Sequence, residues 1–170
     1  MSASPGAEIV AWDTVRHDRP VRGWQTVLAA PAPMEGIMTY TRQELSAHPT
    51  TRHNVGLLAA AIDALNDCAQ ACTGDADDDL SEPNVAEMVN CIRLCLDCAD
   101  VCTTTARVSS RQTAYDANVT NPLVEACIVV CKACADECDR HARMHVHCRV
   151  CAEACRRCET VCREFLNAID

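Results

Sequence analysis

Apolar and polar positions recur with a helical period from about residue 52 to the end of the chain. Apolar residues and cysteines return every three or four positions, which places them on one face of a helix with about 3.6 residues per turn. The pattern predicts four helices, at about residues 52–73, 81–110, 116–143 and 146–168, the third starting between Asp116 and Pro122. The connector between the last two is very short, so they must be antiparallel neighbours. We therefore predict an all-α fold, an antiparallel up-down four-helix bundle.

Turn-forming residues suggest where the first two helices end and begin. Gly74 and the acidic stretch 75–79 are expected to break the first helix and to form a solvated loop. Ser81 is predicted to cap the second helix, with Pro83 in its first turn. The inward face of the first helix is predicted to carry apolar residues followed by thiols, namely Asn54, Leu58, Ala61, Leu65, Cys68 and Cys72.

The N-terminal part of the chain differs from the rest. Residues 1–50 hold five of the seven prolines, both tryptophans and no cysteine. We interpret residues 1–38 as an irregular N-terminal extension and residues 39–170 as the bundle domain, with a helix-like segment at residues 41–45.

The inward faces of the predicted helices carry cysteine where a soluble bundle would normally place Leu and Ile. All fifteen cysteines follow residue 67, and within each helix they are three or four residues apart. Each run is therefore a stripe of thiols on one helix face, and together the stripes predict a Cys-lined core. These candidate metal ligands are Cys68, Cys72, Cys91, Cys95, Cys98, Cys102, Cys127, Cys131, Cys134, Cys138, Cys148, Cys151, Cys155, Cys158 and Cys162.

Charge and hydropathy exclude several classes of protein. The net charge of −9 argues against a nucleic-acid partner, which would call for a basic face. No run of eighteen apolar residues and no signal-peptide pattern is present, so we expect no membrane span and a cytoplasmic location. In that compartment thiols stay reduced, and the odd number of cysteines also argues against a disulfide scaffold.

Clustered thiolates point to a soft metal. Thiolate ligands select Cu(I), zinc or iron–sulfur clusters, and Cys-x3-Cys pairs on one helix face suit Cu(I), which needs few ligands per ion. Zinc uses four ligands per ion, usually on turns, and the ferredoxin spacing of an iron–sulfur site is absent. We therefore expect multiple Cu(I) ions per chain. The alternatives are a bundle that buffers zinc or another soft metal, and a structural Cys-rich bundle without a metal role.

Histidines cluster at one predicted end of the bundle. His141 and His145 lie one helical turn apart beside that end, where they are candidate ligands for incoming or outgoing copper or simply polar residues of a helix end. His147 is expected to point away from the core, and His53 to be solvated. No Cys/His pair is set up as an activated nucleophile, so we do not expect an enzyme.

The cysteine and histidine pattern of residues 127–158 resembles the cytosolic bacterial copper storage proteins. The resemblance covers residues 39–170 and implies a four-helix bundle that stores or sequesters many Cu(I) ions through core thiolates. It also implies a homotetramer and an open end through which copper passes, a role that falls on His141 and His145. Copper chaperones or transporters are the expected exchange partners. In this chain the first helix has only two cysteines.

Overall fold

The computed structural model describes residues 39–51 and 53–169. Within these ranges the fold is all-helical and confirms the predicted bundle. The predicted N-terminal extension, residues 1–38, lies outside the described residues. The helices are α1 (Tyr40–Ala47), α2 (Val55–Ser81), α3 (Val85–Ser109), α4 (Ala117–His141) and α5 (Val146–Ile169).

Side-chain caps fix the beginning of three helices. The side-chain oxygen of Asn54 accepts hydrogen bonds from the backbone N–H groups of Gly56 and Leu57 at 2.9 and 3.2 Å, which starts α2. Asp116 accepts from the N–H of Asn118 at 2.9 Å and starts α4 in the same way. Thr39 caps α1. Each cap satisfies N–H groups that have no partner inside the helix.

Helices α2 to α5 surround one shared core. Helix α2 packs against α3 and α5, and α4 packs against the same two helices, so the four form a closed ring. The links between consecutive helices are short, which makes neighbours antiparallel. The short helix α1 packs on α2 through the buried Leu45. Among the described residues, no helix combines the length and the apolar character needed to cross a membrane.

The acidic stretch after Gly74 is helical, so the predicted break in the first helix is wrong. Helix α2 runs through it to Ser81, which is the last residue of α2 and not the N-cap of the next helix. The physical reason is that Asp75 and Asp79 continue the inward stripe of Cys68 and Cys72 at steps of three and four residues. Both carboxylates are buried in the core, so this stretch is not a solvated loop.

Gly74→Ala is expected to stabilise the protein by about 1 kcal/mol, because glycine in a helix interior loses more backbone entropy than alanine. A methyl group at this position would meet no atom within 4 Å. The free energy of unfolding of the metal-free protein in urea would measure the gain. Gly56→Ala is the matched control, since its new methyl group would lie 3.1 Å from the capping oxygen of Asn54 and should give no gain. Equal gains at both positions would contradict this account.

One end of the bundle is closed by aromatic rings. The imidazole of His53 packs edge-on against Tyr115 and Phe165, with ring centroids 4.4 and 5.8 Å apart. The prediction that His53 is solvated is therefore wrong. His53 immediately precedes the cap of α2, and the α3–α4 connection places Tyr115 against its ring. Together these rings cover the end of the core opposite to His145.

Candidate metal centre

All fifteen cysteines lie in the bundle core with no exposed surface. All are free thiols. Helix geometry explains their position, because steps of three and four residues keep successive sulfurs on the same inward face. The predicted Cys-lined core is therefore present, while the role of these side chains as metal ligands stays a prediction.

Near the closed end the sulfurs of α3 and α4 form a compact group. The Sγ atom of Cys102 lies 3.5 Å from that of Cys127 and 3.5 Å from that of Cys131. The Cys127 and Cys131 sulfurs are 3.8 Å apart. Cys158 and Cys162 of α5 extend this group, with their sulfurs 4.0 Å apart. Three helices thus supply thiols to one end of the core.

In the middle of the core, α2 and α5 face each other through thiols. The sulfur of Cys72 is 3.4 Å from that of Cys155 and 3.5 Å from that of Cys151. The sulfur of Cys68 lies 3.6 Å from that of Cys155 and reaches across the bundle to Cys131 at 3.9 Å. These contacts connect the thiols of the two ends, so the core contains one continuous column of sulfur atoms.

Several sets of four thiols in the column are close enough to share an ion. Within each set the sulfur atoms all lie within 4.8 Å of one another. Many thiols belong to two sets, so the sets cannot all be filled at once unless thiolates bridge neighbouring ions. The sets include Cys68/Cys72/Cys98/Cys155, Cys68/Cys98/Cys102/Cys131, Cys72/Cys134/Cys151/Cys155, Cys95/Cys134/Cys138/Cys151 and Cys102/Cys127/Cys131/Cys158.

Contact between thiols couples their ionisation. The hydrogen bond between Cys134 and Cys138, with sulfurs 3.9 Å apart, lowers the pKa of Cys134 and raises the pKa of Cys138. Loss of a proton from one thiol therefore makes its neighbour harder to ionise. A bound cation removes this obstacle, because it displaces the proton and compensates the thiolate charge.

The end of the column opposite to the aromatic rings is capped by buried carboxylates of α2. The Oδ2 atom of Asp75 accepts hydrogen bonds from the thiols of Cys95 and Cys138 at 3.2 and 3.4 Å. The Oδ1 atom of Asp79 accepts from the thiol of Cys148 at 3.5 Å. Burial raises the pKa of Asp75, and it raises the pKa of Asp79 to about 7 with help from the neighbouring Cys91 and Asp75. Burial and the two carboxylates also raise the pKa of Cys148.

His147 points into this end of the bundle, so the prediction that it points away from the core is wrong. Its Nδ1 atom lies 2.7 Å from Asp75 Oδ1, and its Nε2 atom lies 3.2 Å from Glu82 Oε1. Burial opposes protonation, but the hydrogen bonds to Asp75 and Glu82 outweigh it and raise the pKa of His147. The histidine is drawn inward because α2 extends far enough to place Asp75 opposite the first turn of α5.

The two histidines predicted from the sequence lie at the same end. His145 Nδ1 is 3.0 Å from Glu82 Oε1, and its ring centroid is 5.2 Å from that of His147. The hydrogen bonds from His147 and His145 lower the pKa of Glu82. His141 is mostly buried and lies 3.6 Å from Glu137 Oε1. These histidines therefore lie beside the carboxylates at this end of the column, which we call the histidine end.

A family model described as "Copper storage protein" matches residues 55–167, which include every cysteine of the chain. The chain belongs to the copper storage protein family. The match begins with α2 and ends within α5, so it covers the four helices that line the sulfur column.

Solved members of the family share this fold. The copper storage protein Ccsp of Streptomyces lividans, loaded with 10 copper equivalents, is 53% identical with a TM-score of 0.74, and the match covers 75% of this chain and 98% of that one. Another structure of it, described as cytosolic and holding five coppers, is 60% identical with a TM-score of 0.65 over 66% of this chain and 93% of that one. The Cu(I)-bound copper storage protein BsCsp3 is 33% identical with a TM-score of 0.57, covering 64% and 97%.

A curated relative extends the comparison. The uncharacterized cysteine-rich protein YhjQ of Bacillus subtilis strain 168 is 36% identical over 106 residues, or 62% of this chain and 93% of that protein. This chain therefore contains nearly the full length of the relatives it matches.

The buried carboxylates at the histidine end of the column were not predicted from the sequence. Asp75 and Asp79 follow Cys72 at distances of three and seven residues, the same spacing that identified the thiol stripes. The signal was therefore present in the sequence. It was hidden because Gly74 and a run of acidic residues are typical of a loop.

Proposed function

We propose that this protein stores or sequesters multiple Cu(I) ions, bound by the thiolates that line its four-helix bundle. The observation that carries the proposal is that all fifteen thiols are fully buried in the core, where sulfur–sulfur contacts between thiols of the four bundle helices form a continuous column. Soft thiolates prefer Cu(I), and a water-excluding bundle keeps the bound ions away from solvent. Membership of the copper storage family and the copper-loaded state of its solved relatives support the same assignment.

Sharing of thiols between neighbouring sets favours copper over zinc as the stored metal. Tetrahedral zinc bound by cysteine alone takes four thiolates, so fifteen thiols could supply at most three such sites without sharing ligands. Cu(I) accepts fewer ligands, and bridging thiolates would let successive ions occupy overlapping sets such as those that share Cys68 or Cys131. The arrangement therefore supports a higher metal content than a zinc-buffering bundle would have.

A Cu(I) titration of the fully reduced, metal-free protein, carried out anaerobically against a competing chelator, tests the proposal. We expect roughly one ion per cysteine to be held against the chelator, because each added ion can bind between thiolates already in contact. A plateau at one to four ions, or tighter binding of zinc than of Cu(I), would contradict copper storage. Stability that does not change on metal addition would favour a purely structural bundle.

We propose that copper passes through the histidine end of the column and that His141 and His145 bind it in transit. Both side chains are mostly buried beside carboxylates, His141 next to Glu137 and His145 next to Glu82. The opposite end is covered by the rings of His53, Tyr115 and Phe165. An imidazole nitrogen can bind Cu(I) briefly and pass it to a thiolate, which is the softer ligand.

Replacing His141 and His145 together by Ala should slow Cu(I) uptake from a chelated donor about tenfold and leave the final capacity unchanged, because the core thiols remain. Stopped-flow absorbance of the copper–thiolate bands would give the rate. His48→Ala is the matched control, since the Nε2 atom of His48 contacts Thr113 on the α3–α4 connection, which lies at the opposite end of the bundle from the histidine end of the column. An unchanged uptake rate in the double variant would exclude a transit role.

We further propose a non-catalytic, cytoplasmic homotetramer that exchanges copper with chaperones or transporters. The cytosolic description of the Streptomyces relative supports the location. A bundle whose core is filled with equivalent thiols has a storage interior rather than a substrate pocket. Residues 1–38 stay assigned as a separate extension. Light scattering coupled to size-exclusion chromatography would test assembly, and a mass near that of one 18.5 kDa chain would exclude the tetramer.

A further inference from the structure

In one layer of the column a carboxylate oxygen lies among three thiols. Asp75 Oδ2 lies 3.2 Å from the sulfur of Cys95, 3.4 Å from that of Cys138 and 3.9 Å from that of Cys91. The carboxylate is 2% exposed and the three thiols are fully buried. Asp75 therefore lies among three thiols inside the bundle, unlike the exposed Asp77 and Asp78 on the same helix.

Five of the six distances between the four donor atoms are close to those of a tetrahedral metal site. With metal–sulfur bonds of about 2.3 Å and a metal–oxygen bond of about 2.0 Å, tetrahedral geometry requires sulfur–sulfur distances of about 3.8 Å and sulfur–oxygen distances of about 3.5 Å. The sulfur of Cys138 lies 3.7 Å from that of Cys91 and 3.7 Å from that of Cys95. The three sulfur–oxygen distances average close to the required value. Cys91 and Cys95 are one turn apart on α3.

We propose that Asp75, Cys91, Cys95 and Cys138 form a tetrahedral site for one divalent ion of borderline softness, for which Zn²⁺ is the natural candidate. Three thiolates and one carboxylate suit zinc, which accepts sulfur and oxygen ligands in a closed four-coordinate site. Cu(I) gains little from a carboxylate, because hard oxygen ligands favour harder cations. The layer thus has a different metal preference from the sulfur-only sets deeper in the core.

Neighbouring side chains hold the carboxylate in the required orientation. His147 Nδ1 binds Asp75 Oδ1 at 2.7 Å, which leaves Oδ2 directed at the thiols. Glu82 Oε1 in turn accepts from His147 Nε2 at 3.2 Å and fixes the imidazole ring. Hydrogen-bonded partners of this kind orient ligating carboxylates in metal sites and increase the affinity of the site for its metal ion. On binding, the three thiols release their protons to solvent, so the ligands are three thiolates and one carboxylate.

The site does not depend on copper storage, although Cu(I) and Zn²⁺ would compete for its three thiolates. The column contains several sulfur-only sets that could also bind zinc, so the decisive question is which ligands the first divalent ion takes. The number of sulfur ligands distinguishes the two cases. A cadmium ion of the isotope ¹¹³Cd reports that number through its chemical shift and is a close substitute for zinc at thiolate sites.

One equivalent of ¹¹³Cd²⁺ added anaerobically to the reduced, metal-free full chain should give a single resonance of a three-sulfur, one-oxygen environment. In Asp75→Cys the resonance should move downfield, to the range of four sulfur ligands. Zn²⁺ affinity, measured against a chelator, should fall at least about tenfold in Asp75→Asn. Asp79→Asn is the matched control, because Asp79 is an equally buried carboxylate of α2 whose Oδ1 accepts from Cys148. Asp79 also neighbours one proposed ligand, Cys91, so the affinity of this variant need not match that of the unmodified protein but should fall clearly less than that of Asp75→Asn.

A four-sulfur resonance in the unmodified protein would overturn the proposal, as would several resonances at one equivalent or equal losses of affinity in Asp75→Asn and Asp79→Asn. Circular dichroism and the Cu(I) capacity of each variant show that its bundle is intact, since Asp75→Asn and Asp79→Asn keep all fifteen thiols. The Cu(I) titration of the unmodified protein decides copper storage separately. A normal copper capacity with a four-sulfur cadmium resonance would reject only the mixed site.

Discussion

Replacing Cys131 and Cys134 together by Ser is expected to lower the Cu(I) capacity by two or more ions per chain and to leave the helices formed. Cys131 touches the sulfurs of Cys102, Cys127 and Cys68, so its loss affects several overlapping sets of thiols. Serine oxygen is a hard ligand and does not replace thiolate toward Cu(I). Where a removed thiolate would bridge two ions, the loss of Cu(I) capacity should therefore exceed one ion for that thiol.

The bundle should tolerate these serines because a buried helix offers a partner for the new hydroxyl group. A serine hydroxyl can donate to the carbonyl group four residues earlier. Thr105 already does so toward Val101 at 2.7 Å, and Thr73 toward Ala69 at 2.8 Å.

Anaerobic titration would measure the capacity of this double variant, and far-ultraviolet circular dichroism its helicity. Ala135→Ser is the matched control, because it adds a hydroxyl group at a fully buried position of α4 and removes no thiol. The control should keep the full capacity. A double variant with unchanged capacity would show that these two thiols are packing residues, and collapse of its helices without metal would show the same.

The thiol column could be predicted from the sequence because it depends on local geometry alone. Once a segment is helical, steps of three and four residues determine which side chains share a face. Every cysteine placed in the core by this reasoning is buried there. The short link between α4 and α5 likewise determined that these helices are antiparallel. Neither conclusion required knowledge of distant contacts.

The histidine end of the column could not be predicted in the same way, because its structure depends on residues far apart in the chain. Local composition favours a loop at Gly74 and the acidic residues after it. The hydrogen bonds of Asp75 and Asp79 to His147 and Cys148, about seventy residues later, compensate for burying these carboxylates inside a continuous helix. The wrong helix end and the wrong orientation of His147 therefore have one cause.

Phe165→Ala is expected to destabilise the metal-free protein by about 3–5 kcal/mol, the usual cost of removing a buried aromatic ring. Phe165 is the only phenylalanine of the chain and is 2% exposed. Thiols are small, so the apolar contact area near the closed end depends strongly on this ring. His53, whose ring packs against Phe165, would lose that contact.

Urea unfolding of the reduced, metal-free protein would give the loss, with an unchanged dependence on urea showing that the unfolded state is the same. Leu166→Ala is the matched control, because Leu166 is the next residue of α5 and only partly buried, and it should cost less than half as much. Cu(I) capacity should be unchanged in both variants, since neither removes a thiol. A loss below about 1 kcal/mol in Phe165→Ala would mean that the site collapses around the missing ring and that thiol packing suffices to close this end. If the Cu(I) capacity of Phe165→Ala fell and its stability dropped by the expected amount, the aromatic end would be needed to hold the metal ions as well as to stabilise the fold.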